Sequence, residues 1–157
     1  MPQESTDHEA ETFAAVREVF THKIPFNKLL GCEIDSMSFE SARIRLENRE
    51  ELIGNFIRGS LHGGVVSSIL DLTGGLVAFL SAIQNAEGRT PEERMEKLAN
   101  VGTIDIRVDY LRPGTGKHFV ASAYLLRSGK KVAVTRMELH DDEDSLVAVG
   151  TGAYLVG

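Results

Sequence analysis

Residues 61–83 read LHGGVVSSILDLTGGLVAFLSAI, 23 residues in which His62 and Asp71 are the only ionisable side chains. Val65, Ile69, Leu72, Leu76, Leu80 and Ile83 step by three or four, so one helical face is bulky and apolar. Gly64, Ser67, Asp71, Gly74, Ala78 and Ala82 share a second face on which nearly every residue is small. Another element or a ligand must approach closely there, and periodicity does not say which. The stretch is long enough to cross a membrane. An acid at its middle would cost about 3 kcal/mol there, and amphipathic strands downstream need an apolar element to cover them, so a buried core helix is expected.

Upstream, Phe13, Val16, Val19 and Phe20 recur at helical spacing within 9–22, after a polar start at 1–8 that reads as frayed. Ile24-Pro25-Phe26 breaks this helix. Residues 34–47 read as one strand, with Ala42, Ile44 and Leu46 alternating against Arg43, Arg45 and Glu47, and 48–60 as a charged loop. Downstream, 85–100 is a polar excursion in which Thr90-Pro91-Glu92-Glu93 caps a short helix. From Thr103 the period changes to two: Ile104, Ile106, Val108 and Tyr110 oppose Asp105, Arg107 and Asp109. Residues 119–126, 131–139 and 146–155 form three more strands, joined by a Ser128-Gly129 turn and an acidic 140–144 loop. Short links make consecutive strands antiparallel, giving an α+β fold with the long helix laid across a single antiparallel β-sheet. Residues 1–25 are expected to be an N-terminal tail and short helix, and 26–157 the domain proper.

Apolar residues make up 42% of the chain and charged residues 25%, with 15 glycines and four prolines, a globular composition. The net charge of -6 and scattered cations argue against nucleic acid as a partner. Cys32, the single cysteine, fits a reducing compartment, and the acidic start lacks the pattern of a secretory signal, so a cytoplasmic protein without membrane association is expected. There is no Gly-x-Ser-x-Gly elbow, no phosphate-binding glycine loop and no Cys or His pairing at zinc spacing, so no metal is expected.

His62-Gly63-Gly64 stands where the long helix begins. The first amides of a helix have no partner within it, and the positive end of its dipole favours charge developing on a carbonyl oxygen. Gly63 and Gly64 are the candidate donors, and His62 is expected to cap or pack rather than move protons. Asp71 lies nine residues beyond His62, about 13 Å along the axis, so it cannot reach a carbonyl held by its own helix start. If both act on one group they come from two chains, which implies a homodimer. The alternative for Asp71 is a buried carboxylate satisfied by a structural hydrogen bond or by a salt bridge to Arg107.

Asn55, Gly59-Ser60-Leu61-His62-Gly63-Gly64, Asp71, and Thr103 in a strand ending Tyr110-Leu111-Arg112-Pro113 resemble the PaaI-like hotdog acyl-CoA thioesterases over roughly residues 26–156. The resemblance implies a hotdog fold, a dimer with two interfacial sites and commonly a dimer of dimers. It implies hydrolysis of an acyl-CoA with Asp71 as general base or nucleophile, Gly63 or Gly64 polarising the carbonyl, and Asn55 and Thr103 placing the water or leaving group. Asn55 stands seven residues before His62, where many relatives have six. The coenzyme A phosphates would need local cations, for which Arg58, Arg112, Arg127, Lys130 and Lys131 near loop ends are candidates. CoA enters as part of the substrate, and no separate cofactor is expected. A non-catalytic acyl or CoA-thioester binding module and a hotdog dehydratase are the other readings.

Overall fold

The computed structural model describes residues 2–86 and 90–157. The first helix, α1 (Pro2–Glu18), starts earlier than expected: the polar segment read as frayed is helical, with a proline at the first position, where its missing N–H leaves no bond unmade. A five-residue π-helical turn, Val19–Lys23, follows. Ile24 breaks the helix in an extended conformation, as expected, but Pro25 at once begins a second one, α2 (Pro25–Leu30), closed by Gly31 at φ 71°.

The strand expected over 34–47 is two strands, β1 (Cys32–Met37) and β2 (Ser41–Glu47), paired antiparallel. The reversal carries no glycine or proline. The Ser38 hydroxyl accepts from the Glu40 and Ser41 amides and closes the turn instead. Residues 48–60 are more ordered than a loop, containing a 3-10 turn at Glu50–Leu52 and a small ribbon of β3 (Ile53–Asn55) and β4 (Ser60–Leu61).

The long helix, α3 (Gly63–Gln84), spans the expected residues. After it come α4 (Pro91–Glu96), whose N-terminus is closed by the expected capping box of Thr90 and Glu93, and a 3-10 turn at Lys97–Asn100. Four strands complete the chain: β5 (Gly102–Tyr110), β6 (His118–Ser128), β7 (Val132–Asp141) and β8 (Leu146–Leu155). The main sheet has the order β1-β2-β6-β7-β8-β5, every pairing antiparallel, so β1 and β5 are its edges.

This sheet curls around α3. Of the bulky stripe, Ile69, Leu76, Leu80 and Ile83 are fully buried. Leu70, Val77 and Phe79, off the stripe, are equally buried, because a curved sheet and the N-terminal segment cover the helix on more than one side. Each such side chain contributes about 1.5–3 kcal/mol of burial. The helix is apolar enough to span a membrane, but 72% of its most apolar stretch is enclosed by the fold. The small stripe turns to the sheet over its second half: a Cβ at Gly74 would overlap the Tyr154 and Thr135 hydroxyl oxygens, and Ala78 and Ala82 pack with Ala133, Tyr154 and Val156. Val16 and Phe20 belong to the same core as α3.

Candidate active site

The start of α3 is shaped by its cap. His62 holds an extended conformation and its Nδ1 accepts from the Gly64 amide at 2.8 Å, which puts the proton of a neutral ring on Nε2. The Val65 and Val66 amides point to the His62 carbonyl at 2.9 and 3.2 Å. Gly63 is left as the first amide of the helix without an acceptor among the described residues. This corrects the pair of expected donors to one, because the cap consumes the Gly64 N–H. The Gly63 carbonyl accepts from the Tyr110 hydroxyl at 3.0 Å, a contact that fixes the helix start against the end of β5 and that sequence reasoning missed.

Around Gly63 lies a cleft of about 420 Å³ that also holds Asn55, Arg58, Tyr110 and Arg112. Two of the expected phosphate-binding cations therefore stand beside the free amide. Asn55 does as well, but its Oδ1 accepts from the Ile57 and Arg58 amides at 3.2 and 3.1 Å, so its carbonyl oxygen is engaged in building the turn. Arg127, Lys130 and Lys131 are elsewhere. Ser128, between them, accepts from Ser81 at 2.6 Å, which puts this hairpin eighteen residues, about 27 Å, along α3 from Gly63. Lys130 lines a separate hollow of about 630 Å³ with Lys97 and Asn85. Within one chain these three cations do not join the Gly63 cleft, because the β6–β7 turn crosses the far end of the helix.

Asp71 is half-buried in a groove of about 240 Å³. Its partner is not Arg107, which pairs with Asp109 at 3.1 Å. Instead the Thr103 hydroxyl donates to Asp71 Oδ1 at 2.9 Å, which brings together two of the expected residues. The Tyr154 hydroxyl donates to the Asp71 main-chain oxygen at 3.1 Å. Burial, reinforced by the Asp71 carboxylate, keeps this phenol protonated far above its ordinary range. Thr103 and Tyr154 are register partners across β5 and β8, so the sheet presents both hydroxyls to one helical turn. Ser67 and Ser68 bond back to the Gly64 carbonyl at 3.1 and 2.6 Å, as serines on a helix do when they only accommodate packing. Leu72 lines the groove, whereas Leu76 is enclosed in the core.

Cys32 is buried, and desolvation pushes its thiol up to about 12 despite nearby Arg49, so it is no nucleophile at neutral pH. No cluster of three His, Cys, Asp or Glu suited to a metal occurs among the described residues.

Asp71 and Gly63 are thus eight residues apart on one helix, about 12 Å along its axis, in two distinct hollows. One hollow holds an acid set by a hydroxyl, and the other a free helix-start amide beside two guanidinium groups. A long helix wrapped by an antiparallel sheet with this pair of features is the hotdog architecture, and the thioesterase superfamily model matches residues 58–148. The chain belongs to the thioesterase superfamily and is a thioesterase. It is 44% identical over 142 residues, covering 90% of this chain and 92% of the other, to the medium/long-chain acyl-CoA thioesterase YigI of Escherichia coli. A Shewanella oneidensis protein related to the same superfamily superposes with a TM-score of 0.89 at 42% identity, over 95% of this chain and 97% of that one. The PaaI protein of E. coli shares the fold, with a TM-score of 0.74 at 19% identity over 96% of each chain.

Proposed function

We propose that this protein hydrolyses medium- to long-chain acyl-CoA thioesters at two sites shared between the subunits of a homodimer. The observation that carries the reading is the division of one site into two half-sites. Asp71, oriented by Thr103, opens into a groove where it is the only charged residue among those described, while the Gly63 amide opens into a cleft with Arg58 and Arg112. An acyl chain suits the first and phosphorylated coenzyme A the second. The likeness to YigI supports the substrate class.

The geometry of β5 supports the dimer. It is a nine-residue edge strand whose start holds Asp71 through Thr103 and whose end holds the Gly63 carbonyl through Tyr110. An edge strand presents unpaired N–H and C=O groups, and Ile104 and Tyr110 on β5 are both more than half exposed. A two-fold axis pairing β5 with its copy runs the strands antiparallel. The start of one strand then meets the end of the other, and Asp71 of one subunit faces Gly63 of its partner. A dimer of such dimers and a reducing, cytoplasmic setting remain part of the proposal.

In the reaction the Gly63 N–H donates to the thioester oxygen, which becomes an oxyanion as water adds. Asp71 Oδ2 takes the proton of that water, Oδ1 staying on Thr103, and the tetrahedral intermediate collapses with cleavage of the C–S bond. The proton on Asp71 passes to the departing thiolate, releasing acid and free thiol. The test is turnover of an acyl-CoA series, followed by a thiol reagent, for wild type and Asp71→Ala. Equal rates would refute the role of Asp71, and tight binding without thiol release would establish a binding module instead. A dehydratase site pairs its acid with a histidine, and none lines the Asp71 groove among the described residues.

A further inference from the structure

We infer that the segment Phe20–Asn27, outside the part of the chain that matches the superfamily model, forms the wall that reads the length of the acyl chain. The inference rests on the hydrolase reading for its substrate but stands on its own geometry. The groove that opens at Asp71 is walled by Phe20, Ile24 and Phe26 on one side and by Leu98 and Val101 on the other. The superfamily match begins at residue 58, so the first of these walls lies outside the matched residues.

The wall is built rather than incidental. The π-helical turn Val19–Lys23 ends at Ile24, whose extended backbone, φ -80° and ψ 114°, throws the chain across the groove before Pro25 starts α2. Asn27 is buried at 5% exposure, lines the same groove, and donates through Nδ2 to the Phe20 carbonyl at 2.8 Å. That bond satisfies a carbonyl the irregular turn would otherwise strand, and it ties the two ends of the segment together. Phe20 stacks on Phe79 of α3 with ring centroids 5.8 Å apart. Beyond Asp71 the groove offers no charged residue among those described, so it has nothing to hold a phosphate and an apolar surface for methylenes. Phe26 is 51% exposed and lies on the lining, leaving a face for a chain to cover. Gly102 lines the groove too, and a Cβ there would meet nothing within 4 Å, so bulk can be added from β5 without displacing the fold.

The experiment measures binding of S-alkyl-CoA thioethers, ethyl to hexadecyl, which cannot be hydrolysed, by calorimetry on the full chain. The wild type should tighten about fourfold per added methylene until the groove is filled, then level off. Ile24→Ala and Phe26→Ala should flatten that slope, and Gly102→Val should bring the plateau to a shorter chain. Tyr124→Ala, 48% exposed on a strand far from the groove lining, should reproduce the wild-type curve. Circular dichroism and melting establish that each variant is folded. A wild-type affinity independent of alkyl length, or slopes and plateaus identical across the wall variants, overturns the inference. A slope altered by the wall variants in a protein that releases no thiol from any acyl-CoA would defeat the hydrolase reading and keep the wall. Turnover with a length profile that the wall variants leave untouched would do the reverse.

Discussion

Replacing Gly63 with proline removes one hydrogen atom from the site and little else. Gly63 is the first residue of α3, where a helix tolerates proline because its N–H has no partner within the helix. The residue before a proline must be extended, and His62 already is, at φ -62° and ψ 136°. A Cβ on residue 63 would sit 3.5 Å from the Tyr110 ring, an ordinary contact, and the carbonyl that Tyr110 holds is retained. The cap is also intact, since it runs through the Gly64 amide. Stability should therefore hold or rise by about 0.4–1 kcal/mol, as for a rigid residue placed where the backbone already suits it. Catalysis should fall, because losing one preorganised donor to an oxyanion costs about 100- to 1000-fold in kcat. The assay is kcat by thiol release on a medium-chain acyl-CoA, alongside a calorimetric melt. A variant that melts no lower than wild type and turns over at the wild-type rate would refute Gly63 as the oxyanion donor.

Asp71→Asn should lower kcat by about 100- to 10,000-fold while thioether binding persists, and Thr103→Val should lower it by a smaller factor, about 10- to 100-fold, having lost one hydrogen bond to a charged group; steady-state kinetics on both check this. Mixing Asp71→Asn with Gly63→Pro, each inactive alone, should restore about a quarter of wild-type activity after subunit exchange, since half the dimers would carry one intact shared site. No recovery in a confirmed heterodimer would mean that each site lies within a single chain. His62→Ala should cost about 0.5–2 kcal/mol in denaturant unfolding through loss of the helix cap. The Cys32 thiol, pushed up to about 12 by burial, should resist alkylation at neutral pH until the protein unfolds. Because the folded thiol holds its proton above the unfolded value of 9.0, its contribution to stability is complete below pH 9 and declines as pH rises from there towards 12, which alkaline unfolding curves compared with Cys32→Ala would show.

The sequence by itself determined the elements whose causes are local. The cap of α3, its apolar stripe, the capping box at Thr90 and the alternation along β5 to β8 are set by neighbours within a few residues, and each was legible. Asp71 stood out for the same reason, as the one acid in an apolar helix, and the rise per residue already separated it from Gly63. The β1–β2 hairpin was not legible, because apolar alternation runs on either side of a turn made by a serine hydroxyl rather than by glycine or proline.

What only the tertiary structure decided are the contacts between residues far apart in the chain. Thr103, not Arg107, meets Asp71 across 32 positions, Tyr154 reaches the same turn across 83, and Tyr110 holds Gly63 across 47. Arg58 and Arg112 converge on Gly63, whereas Arg127, Lys130 and Lys131 are carried to the far end of the helix. Periodicity gives the face a side chain occupies, but the order of strands in a sheet decides what that face meets. The use of the Gly64 amide by the cap was within reach of sequence, since histidine stands at the capping position. Which amide remained free, and what lay beside it, followed from the way β5 closes the sheet over the start of α3.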